Sequence, residues 1–111
     1  MASILNVDKI RAAGSTTDGL TIDSSGRVTQ PTKPIFMAVA DSTIGLTTSY
    51  AELTSFSTAL VNVGGHYNTS RGSFTVPVAG TYSFAVASIA KTSSTVYRFR
   101  FYKNGSSLNE F

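Results

Sequence analysis

The stretch Gly72-Ser73-Phe74-Thr75-Val76-Pro77-Val78-Ala79-Gly80-Thr81-Tyr82-Ser83-Phe84-Ala85-Val86-Ala87-Ser88-Ile89-Ala90 decides the fold. Phe74 and Val76 alternate with Ser73, Thr75 and Pro77, and Val78-Ala79-Gly80 turns the chain. From Tyr82 onward the period is two. Tyr82, Phe84, Val86 and Ser88 take one side, and Ser83, Ala85, Ala87 and Ile89 take the other. Side chains alternate in this way only along an extended strand. Both sides are mostly apolar, and a strand of that kind is covered on both faces. One face can belong to the chain's own core. The small-residue face predicts a neighbouring subunit as its cover.

Outward from this stretch the pattern stays β. Downstream, Lys91–Thr95 reads as a polar turn. Val96–Tyr102 alternates again, with Tyr97, Phe99 and Phe101 on one side, and Arg98, Arg100 and Lys103 are assigned to the polar side. Asn104-Gly105 is the strongest short hairpin signal, and Ser106–Phe111 supplies its return. Upstream, Ile35–Ala40 reads as a buried strand and Asp41–Tyr50 as a loop. Ala51–Val63 permits a helix by composition, but recurring Thr, Ser, Val and Phe favour one or two strands, ended by a turn at Gly64-Gly65.

The first part of the chain differs. Leu20 and Ile22 alternate with polar residues, Asp23-Ser24-Ser25-Gly26 is a turn signal, and Val28 begins a return. The result is a small hairpin, marginal alone in water. Gln30-Pro31-Thr32-Lys33-Pro34 reads as an extended linker, because proline fixes φ and removes a donor. The sequence therefore divides into an attachment or stalk segment, residues 1–33, and a domain, residues 34–111.

Composition agrees with an all-β reading. The 111 residues include 16 Ser, 15 Thr, 9 Gly, 7 Phe and 5 Tyr. No run of about 18 apolar residues exists, so a transmembrane helix is excluded. Without Cys there is no disulfide, thiolate metal site or cysteine nucleophile. The net charge of +3 is scattered, unlike the dense basic stripe of a nucleic-acid binder. The N-terminal residues carry Asp8, Lys9 and Arg11 where a signal peptide needs an apolar run.

Phe56, Asn62, Tyr67, Phe74, Gly80, Tyr82 and Phe84 follow one another at spacings of 6, 5, 7, 6, 2 and 2 residues. This pattern resembles the C1q-like globular domain, with one departure: Val86 stands where the family has a further aromatic. The resemblance implies an antiparallel β-sandwich, a jelly roll of the C1q and tumour-necrosis-factor type. It implies a structural core of Phe56, Tyr67, Phe74, Gly80, Tyr82 and Phe84. It also implies a homotrimer, with Ser83, Ala85, Ala87 and Ile89 facing the three-fold axis. A full family domain is longer than 34–111, so the last strands are expected to be missing or supplied by neighbours. Residues 1–31 are similar to the start of tailed-phage virion and tail-fibre proteins, through Ala2-Ser3-Ile4-Leu5-Asn6-Val7-Asp8-Lys9-Ile10 and Leu20–Val28.

Candidate chemistry is sparse. His66 is the only His, and no spacing joins it to a Ser and an Asp as a nucleophilic site would need. Some C1q-like domains bind calcium, and Asp18, Asp23 and Asp41 are the carboxylates considered for it, but no Asp-x-Asp-x-Asp-Gly loop is present, and turn capping is the expected role. Arg98, Arg100 and Lys103 are candidate contacts for an acidic ligand. No catalytic residue, metal site or cofactor is expected. The resemblances point to a non-enzymatic virion component, a trimeric fibre-like protein that binds a host surface glycan or protein through loops, alongside other virion proteins. The alternative is a free extracellular lectin or adhesion module. Neither membrane insertion nor nucleic-acid binding is expected.

Overall fold

The computed structural model describes residues 3–45, 49–89 and 98–110. Every regular element among them is a strand and every strand pairing is antiparallel. The chain falls into two compact units, Met1–Ala79 and Gly80–Phe111.

In the first unit, β1 (Lys9–Ile10), β2 (Leu20–Ile22) and β3 (Val28–Thr29) form a three-stranded sheet with β2 in the centre. The expected hairpin is present, with Thr21 opposite Thr29 and Ile22 opposite Val28. Its turn is closed by Asp23. The carboxylate accepts from Ser25 N at 2.9 Å and Arg27 N at 3.0 Å, and from Arg27 Nε at 2.7 Å. The Arg27 backbone and guanidinium therefore hold the Asp23 pKa below 3.8. β1, which no alternation in the sequence announces, adds to β2 with Lys9 opposite Thr21 and Ile10 opposite Leu20.

The segment expected to be an extended linker is a turn instead. Lys33 N donates to Gln30 O at 3.1 Å, which puts Pro31 at the second turn position, where its fixed φ is favourable. The two prolines shape a corner here.

β4 (Ile35–Val39) pairs with β5 (Thr58–Val63), with a bulge opposite the Met37–Ala38 step. The apolar run thus forms the expected strand, but it is not buried on both sides. Phe36 is half-buried, while Ile35 and Met37 are exposed. Residues 51–57 form neither strand nor helix, and β5 alone represents the strands expected over Ala51–Val63. β6 (Tyr67–Asn68) and β7 (Ser73–Phe74) make a short hairpin, with Tyr67 opposite Phe74. Its turn is capped by Asn68 Oδ1, which accepts from Ser70 N at 2.9 Å and Arg71 N at 3.1 Å.

In the second unit, β8 (Arg100–Lys103) and β9 (Ser106–Glu110) form the hairpin that Asn104-Gly105 announced. Asn104 at φ 51° and Gly105 at φ 81° supply the two left-handed positions of a primed turn. The strand expected over Tyr82–Ile89 is not formed among the described residues, where 75–89 join no ladder. Alternation marks a segment able to join a sheet, but a strand also needs a hydrogen-bonded neighbour. The polar turn expected at Lys91–Thr95 and the residue Tyr97 lie outside the described residues.

Candidate functional site

The first four aromatic-motif positions converge. Asn62, at the end of β5, reaches across the Gly64-Gly65 turn. Its Nδ2 donates to Tyr67 O at 2.9 Å, and its Oδ1 accepts from Tyr67 N at 3.0 Å. The Tyr67 hydroxyl donates to Phe56 O at 2.8 Å. The Tyr67 ring stacks on Phe36, with centroids 4.5 Å apart and planes 5° apart, and Phe36 stacks on Phe74 at 5.1 Å. Tyr67 is the one hydrophobic residue buried among those described, at 6% exposure, and burial pushes its hydroxyl pKa above 10.0. A buried phenol requires a partner for its hydroxyl, and the Phe56 carbonyl provides it.

Two glycines make this arrangement possible. Gly64 has φ 79°, and a Cβ there would collide with the His66 ring. Gly72 has φ 62°, and a Cβ there would collide with the Leu53 carbonyl oxygen. His66 also meets the edge of Phe74 at 6.2 Å, while Thr75 N donates to His66 O at 2.8 Å. The single histidine is thus placed as a turn residue against an aromatic ring.

The remaining motif positions lie in the second unit and are more open. Tyr82 and Phe84 stack at 6.5 Å, and Phe84 meets Phe101 at 6.4 Å. Phe84 is nevertheless 43% exposed. Gly80 was expected to permit a tight corner. Its φ lies outside the left-handed region, and a Cβ there would meet only the Tyr82 ring at 3.7 Å, an ordinary contact. Phe84, Ala85, Val86, Phe99 and Phe101 line a shallow apolar groove of about 360 Å³.

Ser83, Ala85, Ala87 and Ile89 are all exposed, Ile89 at 99%. Arg98 and Lys103 are exposed and Arg100 is half-buried. The three cations do not share one face as expected. Arg100 and Lys103 are three residues apart in β8, and an odd separation puts them on opposite faces of a strand.

The carboxylates considered for calcium are each engaged locally. Asp18 pairs with Lys9 Nζ at 2.9 Å and Arg11 Nε at 3.2 Å, and Asp23 with Arg27. Asp41 Oδ2 accepts from Thr58 Oγ1 at 2.6 Å and Ser57 Oγ at 3.2 Å. Among the described residues no group of three or more His, Asp or Glu is placed to hold a metal ion. No helix among them is long and apolar enough to cross a membrane.

Three further residues complete the aromatic core without belonging to the spaced motif: Phe36, Gly64 and Gly72. Phe36 lies within the apolar run Ile35–Val39, which marks a strand but does not single out Phe36. The two glycines carry no signal beyond their identity, because the groups they must clear lie elsewhere in the fold.

An antiparallel all-β chain with this aromatic motif has the features of a β-sandwich recognition domain. The C1q domain family matches residues 35–110, most of the chain, so the chain belongs to the C1q domain family. Neither the curated proteins nor the solved structures contain a match to it.

Proposed function

We propose that the chain is a non-enzymatic recognition module that works as a homotrimer on a virion fibre and binds a host surface glycan or protein. The observation that carries this reading is the exposure of Ser83, Ala85, Ala87 and Ile89 in a C1q-family chain. Ser83, Ala85 and Ala87 are small enough for three copies to approach closely, and an exposed apolar stretch that also holds Ile89 is the kind of surface that marks an interaction site. Family membership supports assembly in threes. The fibre assignment rests on the N-terminal segment, whose wording is similar to phage virion proteins and which forms its own small sheet ahead of the domain. Three sites on one trimer bind by avidity, which raises weak individual affinities without new contacts.

The test uses the full chain, fluorescently labelled, on intact cells and on an immobilised glycan array, beside the Ala87→Arg variant. The parent is expected to bind at least one surface, and the variant to bind it about 100-fold or more weakly through loss of avidity. A parent that binds nothing, or a variant that binds equally, contradicts the reading. An antiserum to the chain should label fibres of virus particles from the source culture. Label confined to free protein would make it a soluble adhesion module instead.

A further inference from the structure

The N-terminal sheet has two chemically distinct faces. Residues directly opposite one another in an antiparallel pair share a face, as do residues two apart along a strand. Ile10 is opposite Leu20, Ile22 is opposite Val28, and Leu20 and Ile22 are two apart. These four branched apolar side chains therefore form one face spanning all three strands. The other face carries Lys9, Thr21 and Thr29, with the Thr21 and Thr29 hydroxyls hydrogen-bonded to each other. The apolar face is open at its two edges: Ile10 is 48% and Val28 60% exposed, while Leu20 and Ile22 between them are half-buried.

We infer that this face is an interchain contact, and that its occupant is the same face of a second copy of the chain. Three observations select that occupant. First, the face is free of charge, and the sheet's cations Lys9, Arg11 and Arg27 are paired within the chain to Asp18 and Asp23, so copies meet without like-charge repulsion. Second, β3 is tied to β4 by a short connection that contains the Gln30–Lys33 turn, spanning at most about 20 Å. Each sheet is thus kept close to its own domain, so any assembly of the domain raises the local concentration of the N-terminal sheets. Third, a sheet this small needs its hydrophobic face packed to persist, and the polar side of each copy stays in water. The inference rests on the homotrimer reading and extends it: the segment ahead of the domain is a second assembly element, closed by apolar sheet faces.

The chain has no cysteine, which makes single thiols clean reporters. In the full-length protein, Val28→Cys and Ile10→Cys place a thiol on the apolar face, and Thr29→Cys places one on the polar face of the same strand. Under mild oxidation the first two are expected to form disulfide-linked chains at least about tenfold faster than the third, since a bridge needs Cβ atoms within about 4.5 Å. Light scattering on the same unmodified chain separates the two levels of the argument. A trimeric parent whose three variants cross-link at equal rates overturns the sheet contact and leaves the trimer standing. A monomeric parent overturns both.

Discussion

Tyr67 and Phe84 are two positions of one aromatic motif, and they meet different fates. Tyr67 is 6% exposed, stacked on Phe36, bonded through its hydroxyl to Phe56, and clamped at its backbone by Asn62. Phe84 is 43% exposed, in a segment that joins no ladder, although it touches Phe101. Up to Ala79 the chain supplies the motif's partners itself. Beyond Gly80, Phe84 meets Phe101 of β8 but, among the described residues, 80–89 pair with no strand. A spacing pattern records which side chains belong together, and here its first four positions converge while its last, Phe84, stays open.

The sharpest way to break this contrast is to remove the better-satisfied ring. Tyr67→Ala is expected to cost about 3–5 kcal/mol, as truncation of a packed aromatic does, read from the urea unfolding midpoint. A variant that unfolds with the parent would mean the stack is not the core.

The glycines give a paired test across the two units. Gly72→Ala should cost about 2 kcal/mol or more, since it strains a left-handed φ and drives a methyl into the Leu53 carbonyl. Gly80→Ala should be neutral within about 0.5 kcal/mol, because its φ and surroundings accept a methyl. Thermal melts of the two variants side by side decide the point, and equal losses would refute the distinction.

Asn62→Ala should cost about 2 kcal/mol, because it strips partners from the Tyr67 N–H and C=O together. Amide exchange at Tyr67 should rise well before exchange in β4. Phe84→Ala sharpens the comparison from the other side. In an Ala87→Arg monomer it should cost about 1 kcal/mol, the scale of its ring contacts. In the assembled parent it should cost several-fold more, and equal costs would mean that assembly does not cover this ring.

The smallest effect is electrostatic. The Asp23 pKa is lowered, so its ionised form favours the N-terminal hairpin. That contribution is present above the unfolded carboxylate value of 3.8 and is lost as pH falls through the lower folded value. A carboxyl-carbon titration by NMR should place Asp23 below the ordinary carboxylate value of 3.8, and Arg27→Gln should bring it back toward that value.

What the sequence made legible follows from the range of the forces involved. The hairpins at Asp23–Gly26 and Asn104-Gly105 are local: each turn's conformation is dictated by its own residues, and both were readable. The β-class and the aromatic motif were readable because alternation and spacing survive without knowledge of partners. The strand at Tyr82–Ile89 was misread because strand formation depends on a second strand that local pattern cannot supply. The shared face of Arg98, Arg100 and Lys103 failed on parity, since Lys103 is an odd step from Arg100. The proline segment was misread because Pro31 suits a turn's second position as well as an extended chain, and only the Lys33–Gln30 hydrogen bond chooses between them. Phe36 was hidden because its partners are about thirty and forty residues away in sequence.

The central proposal is that the exposed segment 83–89 is covered by two further copies of the chain. The most direct measurement is the solution mass of the chain by light scattering on a sizing column. A discrete species at three times the 11.7 kDa chain mass, falling to one chain in Ala87→Arg with its β content retained, is the predicted result. A parent that elutes as a folded, cooperatively melting species of 11.7 kDa would contradict it.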